Sequence, residues 1–237
     1  MRYSGGLVKK EREEIFKLFL ENTKLKFNEI EKALKIRSNM VSYHLEKMQE
    51  EGLLEKKDDY YCLTKKAERY LPIIKHVVGK ELSPVPVILV AVINKDKILL
   101  IKRNKRPYQN YLSMIGGKMQ MEESFEDASK RVVKEKTGLD ADYEGMASVL
   151  HERVEGDEII KHSFIHFFSK MTSKQTDIKM SEYGELKWFK IKDIEKEKLI
   201  PSDLWLIKNK LNSRIDVIDS EMKEKNGELS DFKVLKQ

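Results

Sequence analysis

The chain has very little cysteine and no long apolar run. Cys62 is the single cysteine among 237 residues, which excludes an internal disulfide and any zinc site built from a cluster of cysteines. No apolar segment approaches the roughly 20 residues that a bilayer-spanning helix needs, and the N-terminus carries no apolar signal core. We therefore expect a cytoplasmic protein that has no membrane partner.

Charged residues, by contrast, are abundant. Asp, Glu, Lys and Arg make up 36% of the chain, and the formal net charge is +6. A basic balance of this size permits binding to nucleic acid without establishing it. The hydrophobic share of 40% is enough to build real cores, and the length fits one large or two modest domains.

The first third of the sequence predicts helices and one β-hairpin. Apolar residues recur at helical spacing in several short segments, and Ser38 is the expected N-cap of the third. The hairpin spans residues 53–63 and turns at Asp58-Asp59. The expected helices are at residues 11–20, 27–34, 39–51 and 64–74.

This order of elements resembles a winged helix-turn-helix domain. Residues 38–64 are similar to the recognition helix and wing of small prokaryotic repressors. Because Val41, Leu45 and Met48 face the core, the polar side chains of that helix lie on its other faces, where they suit bases and phosphates in a major groove. The residues expected to contact DNA are Arg37, Ser38, Asn39, Ser42, Tyr43, Lys47, Lys56 and Lys57. Winged helices also serve as protein-binding modules, which is the alternative.

The pattern changes near residue 80. Gly79, Pro84 and Pro86 break both periodicities and predict a linker. Residues 87–93 then form a continuous apolar run, which is typical of a strand buried on both faces. The expected division is a DNA-binding domain at residues 1–78, a linker at 79–86, a second domain at 87–212, and a C-terminal helix or tail at 213–237.

The second domain contains the stretch around which it is organised, GKMQMEESFEDASKRVVKEKTGL at residues 117–139. It predicts a loop that leads into a helix, with Ser124 as the N-cap and Gly138 as the left-handed C-terminal cap. Acidic and basic residues recur every four positions and form a polar stripe along this helix. A solvated helix face with salt bridges is the ordinary explanation of such a stripe.

The same stretch resembles the signature of the Nudix family, which is Gly, five residues, Glu, seven residues, then Arg-Glu-aliphatic-any-Glu-Glu-any-Gly-aliphatic. The chain departs from it at Val132 and Lys136, where the family has metal-binding glutamates. Only Glu135 of the three remains, whereas Mg²⁺ requires several oxygen ligands. The matching residues are Gly117, Glu123, Arg131, Val133, Glu135, Gly138 and Leu139.

The resemblance implies an α/β/α sandwich with a mixed sheet, so the whole chain is expected to be α+β. It also implies that Arg103, at the end of a strand, reaches substrate phosphates; a solvated strand-end charge is the alternative. If the domain is active, Glu135 and Glu123 are the expected catalytic residues and the ligands of Mg²⁺ or Mn²⁺, and otherwise no cofactor is expected. The implied ligand-binding residues are Arg103, Gly116, Gly117, Lys118, Arg131 and Glu135.

Two histidines later in the sequence are four residues apart. In a strand, His162 and His166 would lie on the same side about 13 Å apart, given the usual rise of ~3.3 Å per residue. That separation is too large for a shared metal ion.

The combination of the two domains resembles ligand-responsive repressors in which a Nudix fold acts as the sensor. We predict a homodimeric transcriptional regulator that binds a palindromic operator in double-stranded DNA. Its Nudix-like domain is expected to sense a phosphorylated nucleotide or sugar metabolite, similar to ADP-ribose, with little or no hydrolysis. One alternative is an active Nudix hydrolase of a nucleoside diphosphate derivative with an accessory winged helix, and another is a protein scaffold with an inactive Nudix fold.

Overall fold

The computed structural model describes residues 10–71, 82–156, 158–179, 181–225 and 228–236. The chain divides into two compact units, Met1–Ser83 and Pro84–Gln237. The end of the predicted fourth helix, the boundary at residue 78 and the start of the predicted linker lie outside the described residues. No helix in the described part is long and apolar enough to cross a membrane.

The first unit packs its helices around one apolar core and adds a small three-stranded sheet in the order β1-β3-β2. Val41, Leu45 and Met48 of the third helix are fully buried, as the helical periodicity predicts. Gly52 follows the third helix and has a φ of +68°, a left-handed conformation that favours glycine. The elements are α1 Lys10–Leu18, β1 Leu25–Lys26, α2 Phe27–Leu34, α3 Ser38–Glu50, β2 Leu54–Lys57, β3 Tyr60–Leu63 and α4 Lys65–Glu68.

The expected role of Ser38 as an N-cap is wrong. Ser38 is the first helical residue of α3, and Arg37 holds the cap position without a capping hydrogen bond from its side chain. The hydroxyl of Ser38 instead donates to the carboxylate of Glu31 in α2. A contact between helices has therefore replaced the local cap.

The second unit is built on a seven-stranded mixed sheet. Five strands follow the order β10-β5-β4-β9-β8, while β6 pairs with β5 and β7 pairs with β4. The pairing of β4 with β9 is parallel, and the other pairings in this sheet are antiparallel. The strands are β4 Val85–Asn94, β5 Lys97–Arg103, β6 Leu112–Ser113, β7 Ile115–Lys118, β8 Asp142–Gly156, β9 Ile159–Thr172 and β10 Gly184–Lys190.

Helices cover both faces of this sheet, which confirms the predicted α/β/α sandwich. Helix α5 (Phe125–Thr137) packs on one face, and α6 (Pro201–Lys210) together with a 3-10 helix (Ile191–Lys196) packs on the other. Strand β4 serves both cores, because successive side chains point to opposite faces. Ile88, Val90 and Val92 pack with α5, and Leu89, Ala91 and Ile93 pack with α6.

The C-terminal region forms a hairpin rather than the expected helix or tail. Strands β11 (Asp219–Lys225) and β12 (Glu228–Lys236) pair with each other in a separate antiparallel sheet. Phe232 and Val234 alternate with polar residues in β12, which is strand rather than helix spacing. The sequence pair Asn226-Gly227 is also a strong hairpin signal that the prediction did not use.

Candidate functional site

The loop before α5 is fastened to that helix by Glu123 and Arg131. The Arg131 guanidinium donates to both carboxylate oxygens of Glu123, from Nε at 2.6 Å and from Nη2 at 2.6 Å. It also donates to the Lys118 carbonyl at 3.0 Å and to Glu135 at 3.1 Å. The hydrogen bond from Arg131 holds the pKa of Glu123 below its ordinary value. Glu123 and Arg131 therefore set the shape of the loop.

The start and end of α5 follow the sequence prediction. Ser124 caps the helix by accepting a hydrogen bond from the Asp127 backbone N–H at 3.1 Å. Gly138 ends it with a φ of +76°, a conformation that side chains disfavour. The helix is thus held at both ends, which fixes where its residues stand relative to the sheet.

Val132 is a packing residue in the core between α5 and the sheet. Its side chain is 1% exposed. A Cβ atom added to Gly117 would lie 2.8 Å from Cγ2 of Val132, so glycine is required at position 117 because the helix passes so close. Position 132 consequently offers hydrocarbon where the family signature has a carboxylate.

Lys136 places an ammonium beside the glycines of β7. Its Nζ donates to the carbonyl oxygen of Gly116 and lies 5.0 Å from the centre of the Tyr183 ring. The side chain is partly buried. Burial, followed by the positive charge of Arg103, holds the pKa of Lys136 below its ordinary value.

A cavity of about 210 Å³ opens between β7, the end of α5 and the start of α6. One part of its wall, the cationic end, contains Arg103, Lys118 and Lys136 together with Gly116 and Gly117. Apolar side chains continue the wall. Another part, the acidic end, contains Tyr108, Glu152, His166, Ser202 and Asp203.

Glu152 is the centre of the acidic end. Its Oε1 accepts a hydrogen bond from the Tyr108 hydroxyl at 2.8 Å and lies 3.6 Å from Nε2 of His166. His166 first, and then Ser202 and Tyr108, lower the pKa of Glu152 to about 2. Burial and the Glu152 carboxylate raise the pKa of Tyr108 above its ordinary value. Glu152 is therefore an anion at neutral pH that its neighbours stabilise.

Asp203 is the most deeply buried acid of the cavity wall, at 3% exposure. Its Oδ2 accepts a hydrogen bond from the Met114 backbone N–H at 2.7 Å. Burial raises the pKa of Asp203 to about 7. The carboxyl group accordingly changes its charge near neutral pH.

Four of the predicted ligand-binding residues line this cavity, namely Arg103, Gly116, Gly117 and Lys118. Arg103 also supports the neighbouring loop, because its Nε donates to the Pro107 carbonyl at 2.9 Å. Arg131 and Glu135 do not line the cavity, and ligand binding by these two residues remains a prediction. Sequence reasoning missed Lys136 as a wall residue, and it missed the whole acidic end.

The predicted DNA-binding residues form two groups in the first unit. Arg37, Ser38 and Asn39 are exposed at the start of α3, and Tyr43 is 40% exposed one turn later. Ser42 on the same helix is partly buried. The sequence prediction placed all of these at a DNA surface.

Each lysine of the second group lies near an acidic residue or an aromatic ring. Lys47 pairs with Glu50 on α3, and Lys57 pairs with Glu55 in the wing at 2.6 Å. Lys56 is exposed and lies 5.6 Å from the centre of the Tyr61 ring. All three remain available to phosphates, since exposed ion pairs of this kind are weak.

The structure adds two lysines to this surface. Lys24 and Lys26 lie 4.6 and 5.1 Å from the centre of the Tyr60 ring in the wing. They are brought there by β1, a two-residue strand that pairs with β3. Such a short strand leaves no periodic signal in the sequence.

The family models match both units. Residues 83–209, more than half of the chain, match the NUDIX domain. The chain belongs to the Nudix family. Residues 9–56 match the bacterial regulatory protein arsR family, which agrees with the helix-turn-helix fold of the first unit. The predicted fusion of a helix-turn-helix domain with a Nudix domain is therefore confirmed.

Several solved structures are similar to part of the chain. The MutT protein of Bacillus halodurans is 23% identical over 63% of this chain and 97% of its own, with a TM-score of 0.48. The Nudix domain of NrtR from Shewanella oneidensis, solved with ADP ribose, is 16% identical over 62% and 96%, with a TM-score of 0.47. The MutT protein of Methanosarcina mazei is 21% identical over 54% and 93%, with a TM-score of 0.45. No curated protein sequence matches the chain.

The residues of this Nudix domain do not fit the metal site that the family signature implies. Val132 is buried hydrocarbon, Lys136 carries a positive charge, and Glu135 accepts a hydrogen bond from Arg131. Glu123 is likewise held by Arg131. Within the described residues, no group of three or more His, Cys, Asp or Glu side chains is arranged to hold a metal ion.

Proposed function

We propose that the chain is a DNA-binding transcriptional regulator whose Nudix domain senses a phosphorylated nucleotide or sugar metabolite and hydrolyses it little or not at all. The single observation that supports this most is the Nudix helix itself, joined to a helix-turn-helix domain. It keeps the residues that shape the loop and replaces two carboxylates by Val132 and Lys136. A fold that is preserved while its metal site is altered suits recognition better than hydrolysis.

The Nudix cavity supports an anionic ligand of modest size. Its cationic end suits a phosphate group, since Arg and Lys are the usual partners of phosphate oxygens. Its volume of about 210 Å³ is smaller than the roughly 300–1,000 Å³ of pockets for drug-sized ligands. The cavity therefore encloses a phosphate and its sugar, while the rest of a larger ligand extends outward. ADP-ribose, the compound bound in the Shewanella structure, is the first probe to test.

The DNA-binding half of the proposal places α3 in a major groove. A homodimer would present two copies of α3 about one helical turn of DNA apart, which requires a palindromic operator. Ligand would control the regulator if it binds the DNA-competent and the DNA-incompetent dimer with different affinities.

DNA binding is tested by fluorescence anisotropy on duplex DNA from upstream of the gene that encodes the chain. Lys47→Ala and Lys56→Ala should weaken binding and each lower the slope of log K against log salt by about one, because each removes a phosphate contact. Lys192→Ala, an exposed lysine of the Nudix domain, is the matched control. Unchanged affinity and slope in both test variants would exclude these contacts.

The sensor role is tested by repeating the titration with saturating ADP-ribose. Coupling of this kind usually changes affinity about 5- to 150-fold. An identical DNA affinity with and without bound ADP-ribose would contradict a sensor of this compound.

The rival function is hydrolysis, and a turnover assay separates the two. Release of nucleotide products, such as AMP from ADP-ribose, is measured for ADP-ribose, nucleoside triphosphates and dinucleotides with Mg²⁺ or Mn²⁺. Robust metal-dependent release that Glu135→Gln abolishes would overturn the sensor proposal in favour of a hydrolase.

A further inference from the structure

We propose that Lys136 takes the place of a divalent cation in this Nudix domain, so that the cavity binds phosphate groups without a metal ion. The inference rests on the proposed function, because it takes the cavity as the ligand site, and it adds how the ligand is held. The phosphate contacts the Lys136 ammonium and the Arg103 guanidinium directly.

The cationic end is assembled from three elements. Lys136 comes from the last turn of α5, Arg103 from the end of β5, and Lys118 from the end of β7. Within the described residues, none of the three lies within 4 Å of a carboxylate in an ion pair. Three cations that converge on one wall, with no carboxylate at ion-pair distance among the described residues, make a site that suits an anion.

The surroundings of Lys136 strengthen this conclusion. Burial and the charge of Arg103 both disfavour the ammonium, and the carboxylate of Glu135 offsets them only in part. A partly buried charge that is not fully compensated is costly. Glu135, its acidic neighbour on α5, accepts a hydrogen bond from Arg131. A phosphate dianion would relieve both penalties at once.

The hydrogen-bonding capacity of Lys136 is only partly used. An ammonium has three N–H donors, and the contact with the Gly116 carbonyl uses one of them. In the described part of the chain, the Arg103 side chain uses only Nε, in its contact with the Pro107 carbonyl. Donors therefore remain on both cations for phosphate oxygens.

The acidic end restricts which group accompanies the phosphate. Glu152 is an anion that would repel a phosphate at this end of the cavity, and it accepts a hydrogen bond from Tyr108. His166 is buried, and neither of its ring nitrogens has a hydrogen bond of normal length. A sugar supplies the hydroxyl groups that these two side chains suit. The ligand class is thus a sugar phosphate or a nucleoside diphosphate sugar.

The test is isothermal titration calorimetry of the full chain with ADP-ribose and with inorganic pyrophosphate. Each titration is run in excess EDTA and again with excess free Mg²⁺. For the wild-type chain, we expect binding in EDTA that Mg²⁺ does not strengthen. Lys136→Met should weaken binding about 10- to 100-fold, as expected for the loss of a charge-assisted hydrogen bond, whereas Lys136→Arg should retain most of the affinity.

Two further variants complete the experiment. Lys134→Met removes an exposed lysine of the same helix that pairs with Asp140 and does not line the cavity, and it should bind like the wild type. Lys136→Glu should lose binding in EDTA and recover part of it with Mg²⁺. Circular dichroism of every variant checks the fold, and Lys136→Arg provides the comparison if Lys136→Met does not fold.

The possible outcomes separate this inference from the proposed function. Binding that disappears in EDTA and returns with Mg²⁺ would overturn the inference and leave the sensor function standing. Wild-type affinity in Lys136→Met would overturn it as well. If neither probe binds in either buffer, the inference and the ligand-sensing proposal both fail. Metal-free binding in a chain that does not bind DNA would support the inference and exclude only the regulator.

Discussion

The two ends of the Nudix cavity both carry charge, but they differ in how that charge is compensated. At the acidic end, the Glu152 carboxylate accepts a hydrogen bond from Tyr108 and lies beside His166. At the cationic end, Lys136 and Arg103 have backbone carbonyls as hydrogen-bond partners and, in the described part of the chain, no carboxylate in an ion pair. The charge of Glu152 has partners within the folded protein, whereas the charges of the cationic end would be compensated by the proposed ligand.

This difference predicts whether a substitution changes ligand affinity or the stability of the fold. Changes at the cationic end should alter ligand affinity more than stability, because the interaction they remove is made with the ligand. Changes at the acidic end should alter stability and its dependence on pH, because their partners lie within the protein. Each variant below tests one side of this division.

Arg103→Ala should have the largest effect, a loss of affinity for ADP-ribose of about 10- to 100-fold in calorimetry. Lys102→Ala is the control, since adjacent residues of a strand point to opposite faces and Lys102 does not line the cavity. Thermal unfolding should change little in either variant. A large loss of stability without loss of affinity would show that Arg103 serves the Pro107 loop rather than the ligand.

Glu152→Gln should lower the free energy of unfolding at neutral pH by about 1–3 kcal/mol. The substitution replaces a charged acceptor by a neutral one, and hydrogen bonds to neutral acceptors are weaker. The folded-state pKa of about 2 lies below the ordinary value, so this stabilisation is present above about pH 4.5 and is lost as the pH falls toward 2. Urea unfolding across that range should show a smaller acid dependence in the variant. If the variant and the wild-type chain show the same acid dependence, the neighbours of Glu152 do not stabilise its charge.

Asp203→Asn should change the pH dependence of stability with the opposite sign. A folded-state pKa of about 7 lies above the ordinary value, so the native state binds a proton that the unfolded state has released. The wild-type chain should therefore lose stability as the pH rises from about 4 to about 7, by at most about 1.4 kcal/mol per pH unit.

The asparagine variant should lack this loss while it keeps an acceptor for the Met114 N–H. The measurement is urea unfolding at several pH values between 4 and 8. Parallel curves for the two proteins would show that Asp203 is ionised throughout this range.

The two ends also differ in how far the sequence predicts them. Gly117, Glu123 and Arg131 belong to one short motif, so its resemblance to the Nudix signature was sufficient to identify them. Glu152 and His166 come together because β8 pairs with β9 in a register that places Glu152 opposite Phe164, making it a diagonal neighbour of His166. Local periodicity predicts neither the order of strands in a sheet nor the register in which they pair.

Other parts of the fold show the same limit. The helical periodicity of Val41, Leu45 and Met48 predicted a buried face correctly, because all three lie on one helix. The interhelical contact of Ser38 with Glu31, and the pairing of β1 that brings Lys24 and Lys26 to the wing, depend on packing between elements. Contacts of this kind cannot be predicted from residues that are adjacent in the sequence.

The packing of Val132 against Gly117 has a consequence for how this domain could change in evolution. Val132→Glu alone would bury a carboxylate in a site shaped for hydrocarbon, which is costly. Lys136→Glu alone would place a second acid beside Glu135 and the Gly116 carbonyl, but close to the positive charge of Arg103. A return to a metal-binding carboxylate at position 132 would therefore lose stability before any catalytic gain.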